Sequence, residues 1–202
     1  MMKPVPLTPK PVKIARLVSL VGHPFVLLAL TVLIVAAHRT HPVRALTFGG
    51  AAVLFTVSPL VFIIRRKVSA GQWSDHDVSD AAERRSFYPV AIAVNAFSAA
   101  LFYFLDFPPA LLAGMLISLV ILLFAMLVNR WSKISLHLIF AVYFAISLFP
   151  VSYWSGAFFL LLAAAVGWSR VVLKRHTFAQ VLSGAALGAI AGIVFLKIVG
   201  FF

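Results

Sequence analysis

Apolar residues in this 202-residue chain come in runs of about 20, separated by short polar or proline-containing stretches. About 20 largely apolar residues is the length of helix that crosses a bilayer. The runs fall at residues 16–37, 45–64, 89–105, 110–129, 134–149, 156–173 and 178–199. Between them lie a polar stretch at 65–88, Asp106-Phe107-Pro108-Pro109, Arg130-Trp131-Ser132-Lys133, the region around Pro150, and Lys174-Arg175-His176. Asp106 to Pro109 reads as a tight hairpin, because proline cannot continue a helix. The pattern predicts an all-α polytopic bundle of seven spans, or six if the run from Gly156, cut short by Arg170, does not cross. No internal repeat or soluble module interrupts it, so residues 1–202 form a single integral-membrane domain.

Composition excludes an ordinary soluble enzyme. Hydrophobic residues make up 63% of the chain and charged residues 11%, with a mean hydropathy of +1.07. One small core cannot hide that much apolar surface from water. The formal charge of +12 raises a nucleic-acid partner, but the basic residues sit between apolar runs and no aromatic-lined groove accompanies them, so that partner is excluded. Lys and Arg instead divide by side. Lys3, Lys10, Lys13, Arg16, Arg65, Arg66, Lys67, Arg84, Arg85, Arg130, Lys133, Arg170, Lys174 and Arg175 fall on the side of the N-terminus, against Arg39, Arg44 and Lys197 opposite. The positive-inside rule puts the larger set in the cytoplasm, for instance at a bacterial inner membrane. Residues 1–15 read as a basic tail on a retained first helix. With no cysteine, disulfides, thiolate metal sites and cysteine nucleophiles are absent. Gly184, Gly188 and Gly192, four apart in the last span, predict a helix face that lets a neighbouring backbone approach.

The chemistry concentrates in three polar clusters separated by even numbers of crossings, and so predicted at one membrane surface. They are Asp75 to Arg85, Arg130 to His137, and Ser169 to Gln180. His137 sits in the first turn of a helix, where free N–H groups favour an anion, and Arg130 and Lys133 precede it. His176 also precedes a helix and follows Arg170 and Lys174. Fixed cations beside two histidines suit phosphoryl transfer, with a nucleophile, a proton donor and charge stabilisation.

At these residues the chain resembles the type 2 phosphatidic acid phosphatase superfamily, over about residues 80–188. The third family motif is matched by Ser169, Arg170 and His176, with Gln180 where most members have Asp. The second, Ser-Gly-His, reads Ser135-Leu136-His137. The first is matched only by Arg84 or Arg85 with Pro89 nearby. The resemblance implies a phosphatase-like helical core and hydrolysis of a lipid phosphate or diphosphate, of the phosphatidic acid, phosphatidylglycerophosphate or polyprenyl phosphate class. It further implies that His176 forms a phosphohistidine and His137 protonates the departing oxygen, while Arg170 and Arg84 hold phosphate. Gln180 would orient His176, with Arg85, Lys133, Lys174, Ser169 and Ser135 in support. No metal or cofactor is required. Partners are the lipid substrate and membrane lipids, and a homo-oligomer stays open.

Two other readings remain. The acidic group Asp75, Asp77, Asp80 and Glu83 is expected to pair internally with Arg84, Arg85 or Lys67, but carboxylates also suit Mg2+. That second choice would make the chain a transferase using a prenyl diphosphate. A non-catalytic lipid-phosphate binder is the third class, since Gln180 and Leu136 both depart from the family pattern. His23, His38 and His41 read as solvated polar tips, although His23-Pro24 is out of place inside an apolar run. Arg65-Arg66-Lys67 reads as a topology anchor, with attraction to anionic lipids second.

Overall fold

The computed structural model describes residues 9–201, and every regular element among them is a helix; Lys3 of the expected basic tail lies outside the described residues. Helices α1 (Pro9–Val21) and α2 (Pro24–Arg39) replace the expected first span, bent by 46° at Gly22-His23. Pro24 lacks the N–H needed to extend α1, so His23 becomes the N-cap of α2, with its Nδ1 accepting from the Phe25 N–H at 3.2 Å. Much of the expected tail is therefore helix, since α1 begins at Pro9.

Helix α3 (Pro42–Ala52) continues through a π-helical turn (Val53–Val57) into α4 (Ser58–Ser69). The cause is Pro59, which cannot donate to the Phe55 carbonyl one turn back. Ser98 from α5 (Ala81–Phe104) supplies that donor, its Oγ lying 2.9 Å from the Phe55 oxygen. Helix α5 begins well before the predicted residue 89, because the Asp80 carboxylate caps the N–H groups of Ala82 and Glu83. Pro89 lies inside that helix.

The remaining helices are α6 (Pro109–Val128), α7 (Leu136–Ser147), α8 (Tyr153–Val172) and α9 (Phe178–Ile198). Among the described residues, five helices are long and apolar enough to cross a bilayer, counting Pro42–Ser69 as one, and the bent α1–α2 pair makes six if it is one span. The predicted run at 134–149, the fifth, is the one that falls short. At 12 residues, α7 is about 18 Å long against a hydrocarbon core of about 30 Å. The run at 156–173, expected to be the weak one, falls in the full-length α8 apart from its last residue, Leu173, which is the C-cap.

Helix α7 owes its place to burial, with nine of its twelve residues hidden. It packs against α2, α8 and α9. The glycine face of α9 is what brings that helix close, as predicted. A Cβ on Gly184 would sit 2.8 Å from the Ser135 carbonyl oxygen, and one on Gly188 only 2.4 Å from that of Ile139. Helix α1 lies against α8 in the same manner, since a Cβ on Gly22 would overlap the Val166 side chain at 2.0 Å. Large apolar side chains such as Trp154, Leu161, Phe158 and Phe104 point outward, as a surface facing lipid requires.

Candidate functional site

One guanidinium ties the three polar clusters together. Arg84, in the first turn of α5 and 2% exposed, donates from Nε to the Val78 carbonyl at 2.9 Å and from NH1 to the Ile134 carbonyl at 2.8 Å. Its NH2 stands 3.4 Å from His176 Nε2. Arg85, one residue on and so about 100° around the helix, is exposed. Of the two first-cluster arginines proposed as phosphate ligands, the structure brings only Arg84 to the site.

His176 is placed by two adjoining helix ends. Helix α8 closes with Lys174 in the left-handed region at φ 55°, and the Arg175 N–H reaches back to the Arg170 carbonyl at 3.0 Å, a Schellman closure. The backbone of Lys174 makes that turn, and its side chain is exposed. Helix α9 opens with a capping box, in which Gln180 N–H donates to Thr177 Oγ1 and Gln180 Oε1 accepts from Thr177 N–H. The same Oε1 lies 3.1 Å from His176 Nδ1. An arginine only donates and an amide oxygen only accepts. His176 therefore carries its proton on Nδ1, toward Gln180, and keeps the Nε2 lone pair toward Arg84.

Burial and the charges of Arg84 and Arg170 lower the His176 pKa to about 3, so the ring is neutral at pH 7. The unfolded chain binds a proton there near the ordinary value of 6.5, and the folded chain resists it. Stability from this group is complete above about pH 6.5 and is lost as pH falls toward 3. In detergent, the melting temperature should be lower at pH 5 than at pH 7.5, and His176→Gln should shrink that difference. An unchanged difference in the variant would contradict the neutral assignment.

Arg170, in the last turn of α8, is fully buried. Its NH1 donates to Ser19 Oγ at 2.7 Å and to Asp77 Oδ2 at 2.6 Å, while Nε and NH2 have no partner. Two other expected site residues carry a buried, unpartnered group: His137, 4% exposed, at Nε2, and Ser135 at its hydroxyl. Lys133 is part-buried at the edge of the group, donating to the Arg175 carbonyl at 3.2 Å. Burial and the Arg84 charge hold its ammonium below the ordinary lysine range. Ser169, an expected phosphate ligand, instead bonds the Val166 carbonyl of its own helix at 2.7 Å.

The acidic loop pairs internally, but not with the predicted partners. Asp75 meets Arg175 at 2.5 Å and Asp77 meets Arg170 at 2.6 Å. Glu83 accepts from the Ser74 N–H and hydroxyl, and Asp80 caps α5. Burial pushes the Asp77 carboxyl up, yet the Arg170 charge and hydrogen bond outweigh it and hold the group below the usual carboxylate range.

His23 is the residue that sequence reasoning misplaced. Its ring meets that of His137 edge-on with centroids 5.0 Å apart, so it is no solvated tip. The signal was present, since Pro24 forces a break that turns His23 inward as a cap. A His23 ring nitrogen, a His137 ring nitrogen and an Asp77 carboxylate oxygen all lie within 4.8 Å of one another. Two histidines and a carboxylate have the ligand chemistry of a transition-metal site. Arg170 already holds that carboxylate, however, and a second guanidinium, Arg84, faces the same cluster, which favours an anion over a cation.

A cavity of about 130 Å³ has His23, Asp77, Arg84 and His137 in its wall. Its lining runs from Arg84 to Phe102 along α5 and from His137 to Ser147 along α7. Eighteen helical residues separate Arg84 from Phe102, roughly 27 Å. Away from the charged end the wall is mostly apolar, with Val35, Leu111, Met115 and Phe144. His176 and Arg170 lie behind this wall, next to Arg84 and Asp77.

No protein-family model, curated protein or solved structure matches the chain.

Proposed function

We propose that this chain is a membrane-embedded phosphatase that hydrolyses a lipid phosphate or diphosphate through a phosphohistidine. The observation that carries the reading is Arg170, a fully buried guanidinium with Nε and NH2 unpartnered. Leaving buried donors unsatisfied costs about 1–3 kcal/mol each, more when charged. Two parallel guanidinium N–H groups match two oxygens of a phosphoryl group. The neutral Nε2 of His176 beside Arg84 supplies the nucleophile in the same cluster.

In the proposed reaction the His176 Nε2 lone pair forms the N–P bond as the ester P–O bond breaks. Arg84 and Arg170 take the charge on the equatorial oxygens. His137 gives its proton to the departing lipid oxygen. Water then attacks the phosphohistidine and returns a proton to His137, releasing inorganic phosphate and neutral His176. Gln180 holds Nδ1–H throughout, doing the orienting of a triad's third member without its charge. The cavity supports a lipid substrate, because a hydrocarbon chain fits its apolar length while the phosphate stays among the cations. The Mg2+-dependent transferase reading loses ground, since all four carboxylates of the acidic loop are already engaged.

The test is inorganic phosphate release by the purified protein in EDTA, from phosphatidic acid, phosphatidylglycerophosphate and polyprenyl mono- and diphosphates. Turnover that falls to background in His176→Ala is expected. Release from none of these lipids, or equal release by parent and variant, would refute the proposal and leave a lipid-phosphate binder.

A further inference from the structure

We infer that the cavity holds a second polar site, partway along its apolar length, that binds a hydroxyl group carried on the chain of the lipid. The phosphatase reading above supplies only the phosphate at the other end of that ligand.

Thr31 of α2, Thr56 of the π-helical turn and Asn95 of α5 all line the cavity. Each is more than nine-tenths buried, and Thr31 Oγ1, Thr56 Oγ1 and Asn95 Oδ1 have no hydrogen-bond partner. Helical hydroxyls ordinarily fall back on the carbonyl one turn earlier, as Thr47, Ser118 and Ser147 do at 3.0, 2.9 and 2.8 Å. Thr31 and Thr56 leave that bond unmade. Asn95 stands inside the membrane-crossing helix Ala81–Phe104, where an amide without a partner is costly.

Packing sets these groups beside one another. Ser98, one turn after Asn95, donates to the carbonyl of Phe55, the residue before Thr56, at 2.9 Å. Helix α2 packs against the same π-helical turn. Arg84 and Asn95 are eleven residues apart, so they share a face of α5 and stand roughly 16 Å from each other along it. Thr31 lies eight residues beyond His23, roughly 12 Å along α2. The ester groups of a glycerolipid stay close to its phosphate and do not reach that depth, whereas a group borne in the middle of a chain does. An amide oxygen only accepts, and a threonine hydroxyl both donates and accepts. A ligand hydroxyl answers both. An ester or ketone oxygen, which only accepts, leaves Asn95 Oδ1 without a donor.

The test uses the purified full chain in detergent with two pairs of probes: octadecyl phosphate against its mid-chain hydroxy analogue, and stearate against mid-chain hydroxystearate. The carboxylate of the fatty acids offers the same cations an anion but nothing to hydrolyse. In the parent, hydroxystearate should raise the melting temperature more than stearate does, and kcat/KM should be about tenfold higher for the hydroxylated phosphate, the worth of one or two hydrogen bonds. In Asn95→Leu both preferences should vanish, which also removes any difference in partition into the micelle, since parent and variant share it. Thr31→Val, close to isosteric, should reduce them and serves alone if Asn95→Leu does not fold. Equal melting shifts for the two fatty acids in the parent would assign the three groups to water and overturn the inference, and so would a preference that persists in the variants. A parent that releases phosphate from neither ester but keeps the melting preference would refute the phosphatase reading and leave this site standing.

Discussion

Replacing Arg170 by alanine should abolish phosphate release and destabilise the fold at the same time. The guanidinium is fully buried and joins α8 to Ser19 of α1 and to Asp77 of the α4–α5 loop. Removing one partner of a buried ion pair costs about 3–5 kcal/mol, because the other charge stays behind. The partly exposed Asp77 side chain places the expected loss at or below the lower end. Adding Asp77→Ala to Arg170→Ala should restore much of the melting temperature and none of the turnover. Arg170→Lys separates the two roles in the other direction. A lysine ammonium can hold Asp77, but it cannot also present two fixed N–H groups to phosphate, so the fold should survive while kcat/KM falls roughly 10²- to 10³-fold. Turnover of Arg170→Ala within a few-fold of the parent would show that phosphate binds elsewhere.

The second large effect is expected far from the charges, at Gly188. A Cβ there would lie 2.4 Å from the Ile139 carbonyl oxygen and 3.1 Å from its carbonyl carbon. Backbone cannot swing aside as a side chain can, so Gly188→Leu must push α9 off α7. Overpacking of this kind costs about 1–3 kcal/mol and sometimes more, and here it separates the helix opening at Gln180 from the helix carrying His137. Little folded protein is expected by size-exclusion chromatography in detergent. Gly50→Ala is the control, since no atom lies within 4 Å of the added Cβ and alanine favours a helix by about 1 kcal/mol. Comparable monodispersity and melting of Gly188→Leu and the parent would contradict the close α7–α9 contact.

Much of this arrangement is legible in the chain because it is local. Apolar runs set most of the helices to within a few residues, and the four-residue glycine spacing places a smooth face on α9. His176 and Gln180 meet because His176 directly precedes the N-cap and the capping box folds the Gln180 side chain back over that end of the helix. The Thr177-x-x-Gln180 capping box is equally local, though it was not among the features singled out from the sequence.

What only the tertiary structure decided are relations between distant segments. The choice of Arg84 over Arg85 depends on where α5 begins and which way its first turn faces, and neighbouring helical residues point about 100° apart. Asp77 finds Arg170 and Asp75 finds Arg175 across 93 and 100 residues, where no spacing rule applies. The short α7 is stable because neighbours bury it, so its length carried no sign of its central position. His23 was readable as a helix break but not as a neighbour of His137. Periodicity and capping act within a few turns of one helix, and the sequence by itself determined what they govern: an all-helical chain with apolar helices of membrane-crossing length and three polar clusters. Which side chains of those clusters share one buried site follows from how the helices pack, a property of several segments at once that no single segment encodes.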